Sequence, residues 1–153
     1  MSIESKLKEL GLSLPEAPKP VAAYVPAVSS RGQVMVSGQL PMKNGELVST
    51  GKVPSQVSIE DAQAAARQCV LNALAILKAE LGGDLDRLIR VVRIGAFIQS
   101  DDDFFAQPQV ANGASELLLE LLGDTGRHAR AAVGVNALPL NAAVEIEFTF
   151  EVD

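Results

Sequence analysis

The closing stretch VEIEFTFEV, residues 144–152, sets Val144, Ile146, Phe148 and Phe150 in alternation with Glu145, Glu147, Thr149 and Glu151. Successive side chains of a strand point to opposite faces, so this pattern describes a sheet that is apolar on one side and charged on the other. Something must cover the apolar side. The run 58–81 carries Ala62, Ala65, Ala66, Cys69, Val70, Ala73, Leu74 and Leu77 at helical spacing, and Gly82-Gly83 stops it. Ser58 with Asp61 resembles a capping box at its start. DDDFF, 101–105, can cap a turn of helix, and Pro108 can open a second helix through VANGASELLLELL to Gly123.

The other segments fit around that pair of layers. Residues 2–10 predict a short leading helix, with Ser2 as its cap, Ile3, Leu7 and Leu10 on one side and Gly11 at its end. Pro15 to Pro20 then form an extended connector. VAAYVPAV, 21–28, and QVMVSG, 33–38, flank the turn-like SSRG and read as a hairpin whose first strand, holding Pro26, belongs at an edge or a bulge. Residues 39–57 read as a long loop of the kind that often serves function. LIRVVRIGAFIQS, 88–100, predicts a central strand, with Val92, Ile94, Ala96 and Ile98 on one face and Val91, Arg93, Gly95 and Phe97 on the other. The order after the leading helix is β-β-α-β-α-β-β. It implies an α+β fold, a mixed sheet with both helices on one face. Two units follow: 1–19, helix and connector, and 20–153, the main domain. The uncovered face is too mixed for plain solvent exposure, so an oligomer that joins such faces is expected.

Charge and cysteine usage narrow the function. With 13 cationic against 19 acidic residues the chain has a net charge of −6, which argues against a broad phosphate-binding face and hence against nucleic acid. One Cys and one His cannot build a usual zinc site, and no metal is expected. MSIESKLKEL lacks the apolar core of a signal peptide, and no run approaches a membrane span, so a cytoplasmic protein is expected.

Three residues have chemistry worth weighing: Arg130, Glu145 and Tyr24. A guanidinium offers a planar fork to a carboxylate. A Glu beside a substrate can take a proton from water, and a Tyr hydroxyl can donate from an apolar wall. Each also has a plain structural reading. Arg130 could be a rim charge or the partner of Asp124, Glu145 could sit on the wet face of its strand, and Tyr24 could be packing. His128 reads as a surface residue at a turn, and Cys69 as core. Asp101, Asp102 and Asp103 read as caps rather than cation ligands.

The succession AAYVPAV, VMVSGQLP, a long loop, QCVLNALAIL and HARAAVGVNALPLNAAVEIEF resembles the RidA/YjgF family, also labelled endoribonuclease L-PSP. The likeness covers roughly residues 20–151. It implies a chorismate-mutase-like fold and a homotrimer with sites in clefts between subunits. It also implies hydrolysis of reactive enamines and imines such as 2-aminoacrylate and 2-iminopropionate to a 2-oxo acid and ammonia, without a cofactor. By the same resemblance Arg130 grips the substrate carboxylate and Glu145 serves the catalytic water. Tyr24, from a neighbouring subunit, Ser37 and Asn112 line the site. Ala132 stands where known deaminases carry a cysteine. A non-catalytic module binding small carboxylates is the alternative, and a ribonuclease the weaker third.

Overall fold

The computed structural model describes residues 1–19 and 23–153. A short helix α1 (Ile3–Glu9) precedes β1 (Ala27–Ser30) and β2 (Gln33–Gln39). A small hairpin, β3 (Met42–Lys43) and β4 (Glu46–Leu47), leads to the long α2 (Ile59–Glu80). Then come β5 (Leu88–Gln99), α3 (Gln107–Leu122), β6 (Ala129–Val135) and β7 (Val144–Val152). The main sheet runs β1-β2-β7-β5-β6, with β5 and β6 parallel and the other pairs antiparallel. This is the mixed sheet that the element order implies. The parallel pair arises because α3 carries the chain back along the sheet between β5 and β6.

Both long helices cover one face, α2 over β2 and β7 and α3 over β5 and β6. Val144, Ile146, Phe148 and Phe150 are buried beneath them with Val34, Val36, Ile94 and Ile98. From the helices, Leu74, Leu77, Leu117 and Leu118 complete this core, fully buried. Each such side chain contributes roughly 1.5–3 kcal/mol relative to exposure. Caps fix the helix starts: Ser2 Oγ accepts from Ser5 N–H, and Ser58 Oγ from Asp61 N–H.

Three expectations change. The first strand begins at Ala27, not at 21, and 20–22 lie outside the described residues. Pro26 accepts Ser37 N–H at 2.9 Å but has no N–H to return, so the ladder ends there, on an edge strand as expected. Second, Val91 is fully buried on the covered face, where Val92 was expected. Val91 pairs with Phe150 and Arg93 with Thr149, so β5 spends one residue more than β7 and Val92 is a bulge. Third, DDDFF caps no helix. Asp101 accepts from Ser55 N–H at 3.0 Å and Ser55 O–H at 2.9 Å, while α3 starts at Gln107 without a side-chain cap.

The 39–57 segment is more ordered than its composition suggests. Asn44 and Gly45 take the positive φ values of a tight hairpin turn between β3 and β4. Asn72 Nδ2 reaches up from α2 to the carbonyls of Leu40 and Met42, both at 3.0 Å. Among the described residues, the other sheet face has no helix on it. Val28 (51 % exposed), Met35 (41 %) and Val133 (46 %) lie there with Phe97, and Arg93 pairs with Glu147 at 3.1 Å.

Candidate functional site

Arg130 stands on β6, an edge strand, in register with Ile94. Ile94 is buried, so Arg130 points to the helix-covered side, at its open rim. There α3 presents Asn112 and Ser115, three residues apart and hence on one helix face. Arg130 Nη1 donates to Asn112 Oδ1 at 2.8 Å and to Ser115 Oγ at 3.1 Å. Among the described residues Arg130 makes no ion pair; Asp124, a candidate partner from sequence, pairs with Arg127 instead. The guanidinium is therefore oriented by neutral oxygens, and its charge is uncompensated.

His128 belongs to the same group, which corrects its reading as a plain surface residue. It is half-buried. Its Nε2 lies 2.9 Å from Ser115 Oγ and its Nδ1 2.6 Å from the Gly126 carbonyl. A carbonyl only accepts, so Nδ1 carries the hydrogen and Nε2 of the neutral ring accepts from the Ser115 hydroxyl. Burial, above all, pushes His128 below its ordinary pKa, as does the Arg130 charge, while the Gly126 carbonyl opposes them. The ring is thus neutral near pH 7. Ser115, Leu119, Gly126, Arg127, His128 and Arg130 enclose a hollow of about 260 Å³. The sequence signal for His128 was its place two residues before Arg130, just ahead of β6, where strand alternation continued by one residue sets both on one side.

A second group forms at the opposite side of the sheet. Tyr24, 65 % exposed, stands just ahead of β1, the other edge strand, and Ser37 and Gly38 lie where β2 departs from regular pairing. These three line a cleft of about 670 Å³. Ser37 Oγ donates to the Val25 carbonyl at 2.8 Å, tying the approach to β1 onto β2. Glu145 pairs with Phe97 on the uncovered face. Its carboxylate occupies the space that a side chain on Gly38 would need. Burial, first, and the neighbouring Glu147 charge raise its pKa above the ordinary carboxylate value.

Arg130 and Asn112 therefore come together within one chain, and Tyr24 and Ser37 line one cleft with Glu145 against the adjacent Gly38, but the two groups stay apart. Arg130 and Glu145 lie on opposite faces with β5 between their strands. Ala132, two residues after Arg130, packs partly buried against the core opposite Ala96. Cys69 is fully buried, its Sγ 3.2 Å from the Gln39 carbonyl, and burial pushes its thiol far up, so no thiolate forms. No acid, His and Cys cluster fit for a metal occurs among the described residues. Among them, no helix is long and apolar enough to cross a membrane.

Residues 4–151 match the sequence profile of the family described as "YjgF/chorismate_mutase-like, putative endoribonuclease". The crystal structure of the protein Atu1372 with unknown function, from Agrobacterium tumefaciens, superposes with a TM-score of 0.93 at 48% identity, over 99% of this chain and 92% of that one. Protein TCP17 of Trypanosoma cruzi is 43% identical across 99% of this chain and 94% of its own length. A 2-iminobutanoate/2-iminopropanoate deaminase of Dermatophagoides farinae is 31% identical over 89% of this chain and 91% of its own.

Proposed function

The chain belongs to the YjgF/RidA family, and on that footing we propose that it is a hydrolytic deaminase of reactive enamines and imines derived from amino acids. The observation that carries this reading is the guanidinium of Arg130, held through Nη1 by Asn112 and Ser115 and, among the described residues, matched by no carboxylate of its own. Its remaining N–H groups suit the two oxygens of a substrate carboxylate. The substrate class then follows from what stands near: a carboxylate-bearing metabolite with a carbon for water to attack.

The reaction needs the second group of residues as well. We place the complete site between chains of a homotrimer, where the β6 rim of one protomer meets the β1–β2 side of the next. Two features support this. The half-sites lie toward opposite edges of the sheet, and the uncovered face bears Val28, Met35, Phe97 and Val133. Arg130 of one protomer holds the carboxylate, and the enamine tautomerises to the imine, whose carbon is electrophilic. Glu145 of the neighbour, held above its ordinary pKa, takes a proton as water adds to that carbon. That proton returns to the imine nitrogen to give the carbinolamine. The carbinolamine's hydroxyl proton then passes through Glu145 to the amine nitrogen, the C–O bond becomes C=O as the C–N bond breaks, and ammonia and a 2-oxo acid leave. Tyr24 and Ser37 wall the cleft, and the small Ala132 leaves room beside Arg130.

The test is oxo-acid release from enzymatically generated 2-aminoacrylate by wild type and Arg130→Ala. Losing a charge-assisted contact of ~1.5–3 kcal/mol should slow turnover by about 10- to 100-fold. Equal rates for the two proteins would remove the proposal, and oxo-acid binding without turnover would favour a binding module instead.

A further inference from the structure

The hydroxyl of Ser115 sits between two nitrogens with different needs. Arg130 Nη1 must donate to it, at 3.1 Å, whereas the neutral His128 ring accepts from it at 2.9 Å. The hydrogen bonds therefore run one way, from Arg130 to Ser115 to His128, and from His128 Nδ1 to the Gly126 carbonyl. A proton added at Nε2 reverses the middle link. The ring then donates to Ser115 Oγ, which has two lone pairs and keeps its bond from Arg130. The hydroxyl hydrogen is released and can turn toward the hollow beside the guanidinium.

We propose that Ser115 and His128 are proton-linked positioning residues for Arg130, such that a carboxylate arriving on the guanidinium draws a proton onto the imidazole and gains the Ser115 hydroxyl as a further donor. This rests on the reading of Arg130 as a carboxylate clamp. It goes beyond that reading in making anion affinity depend on the chain's single histidine. Linkage is reciprocal: if the anion favours the charged ring, the charged ring favours the anion. Affinity therefore rises as pH falls through the His128 titration, which lies below the ordinary histidine value.

Among the described residues, the charge that acts on the ring is that of Arg130. Arg127 and Arg130 flank it in its own segment, and Asp124 from the preceding turn pairs with Arg127 at 3.3 Å. From β5, Arg90 Nη2 reaches the Arg127 carbonyl at 3.1 Å. On α3, Glu116 follows Ser115 in sequence, and Glu120 lies 3.8 Å from Arg67. On the other half-site, Glu145 also titrates above its ordinary value, and a Glu145→Gln background removes that contribution.

One histidine means one imidazole signal, which makes the test direct. Nitrogen-resolved NMR of the whole protein should show hydrogen at Nδ1 at pH 7.5. Saturating pyruvate or 2-oxobutyrate should raise the His128 pKa, and calorimetry should find binding about fivefold tighter at pH 5 than at pH 7.5. In the Glu145→Gln background that slope should persist. Ser115→Ala should flatten it and Ser115→Thr, which keeps the hydroxyl, should restore it. Oxo-acid binding with an unmoved histidine signal would overturn the linkage alone. Failure of either oxo acid to bind would overturn it together with the carboxylate clamp.

Discussion

Because Arg130 and Glu145 face away from each other in one chain, two inactive variants should repair one another. Arg130→Ala keeps a sound Glu145, and Glu145→Gln keeps a sound Arg130. In a cyclic assembly each cleft draws its arginine from one protomer and its glutamate from the next. After random equal mixing, the chance of an intact arginine is one half, and the same holds for the glutamate. Roughly a quarter of the clefts should thus be whole, whatever the number of protomers in the ring. The parents should each retain less than about a tenth of wild-type rate, from the charge-assisted bond lost with Arg130 and the base lost with Glu145. Co-expression of the two variants, purification of the mixed assembly and oxo-acid release from 2-aminoacrylate give the readout. A mixture no more active than its parents, once mixed assemblies are verified by mass, would refute the shared cleft. A site within one chain cannot be repaired, since every chain in the mixture carries a lesion.

Gly113 on α3 lies against α2 so closely that a Cβ there would sit 2.8 Å from Gln63 Cα and 2.9 Å from its carbonyl carbon. Gly113→Ala should therefore lose ~1–3 kcal/mol to overpacking despite better helix propensity, and because Asn112 is adjacent it should also weaken pyruvate binding; denaturant titration and calorimetry check this. Glu145 has a raised folded-state pKa, so its contribution to stability is present below its unfolded value of ~4.3 and is lost as pH rises through the folded one. Glu145→Gln should melt higher than wild type at pH 7.5, the gap closing near pH 4, while its turnover falls; thermal unfolding at both pH values measures it. Wild type should run in light scattering at three times the 16.1 kDa chain mass. Val133→Asp, a charge on the uncovered face, should lower that mass and abolish turnover while leaving the circular dichroism of the chain intact.

Much of the framework was legible in local pattern. Strand β7 shows in its two-residue alternation, α2 in its helical repeat and Ser58 cap, and the mixed α+β arrangement in the order of elements. Each depends on residues close in sequence, whose geometry is set by backbone sterics and by which side chains must leave water. The candidate site residues came by another route: spacing alone left Arg130, Glu145 and Tyr24 with ordinary structural readings, and the resemblance singled them out.

What the tertiary structure decided has longer reach. The bulge at Val92 exists because β5 must keep register with β7 over its whole length, and nothing local to VVR announces it. Asp101 serves Ser55 rather than α3 because the 52–57 loop is folded back beside it. His128 joins Arg130 only through a serine on a helix that the sequence places before both. The opposed directions of Arg130 and Glu145 follow from two strands with β5 between them. Local pattern records which face a side chain takes on its own strand; which strands are neighbours, and hence which faces meet, is settled by packing the whole core.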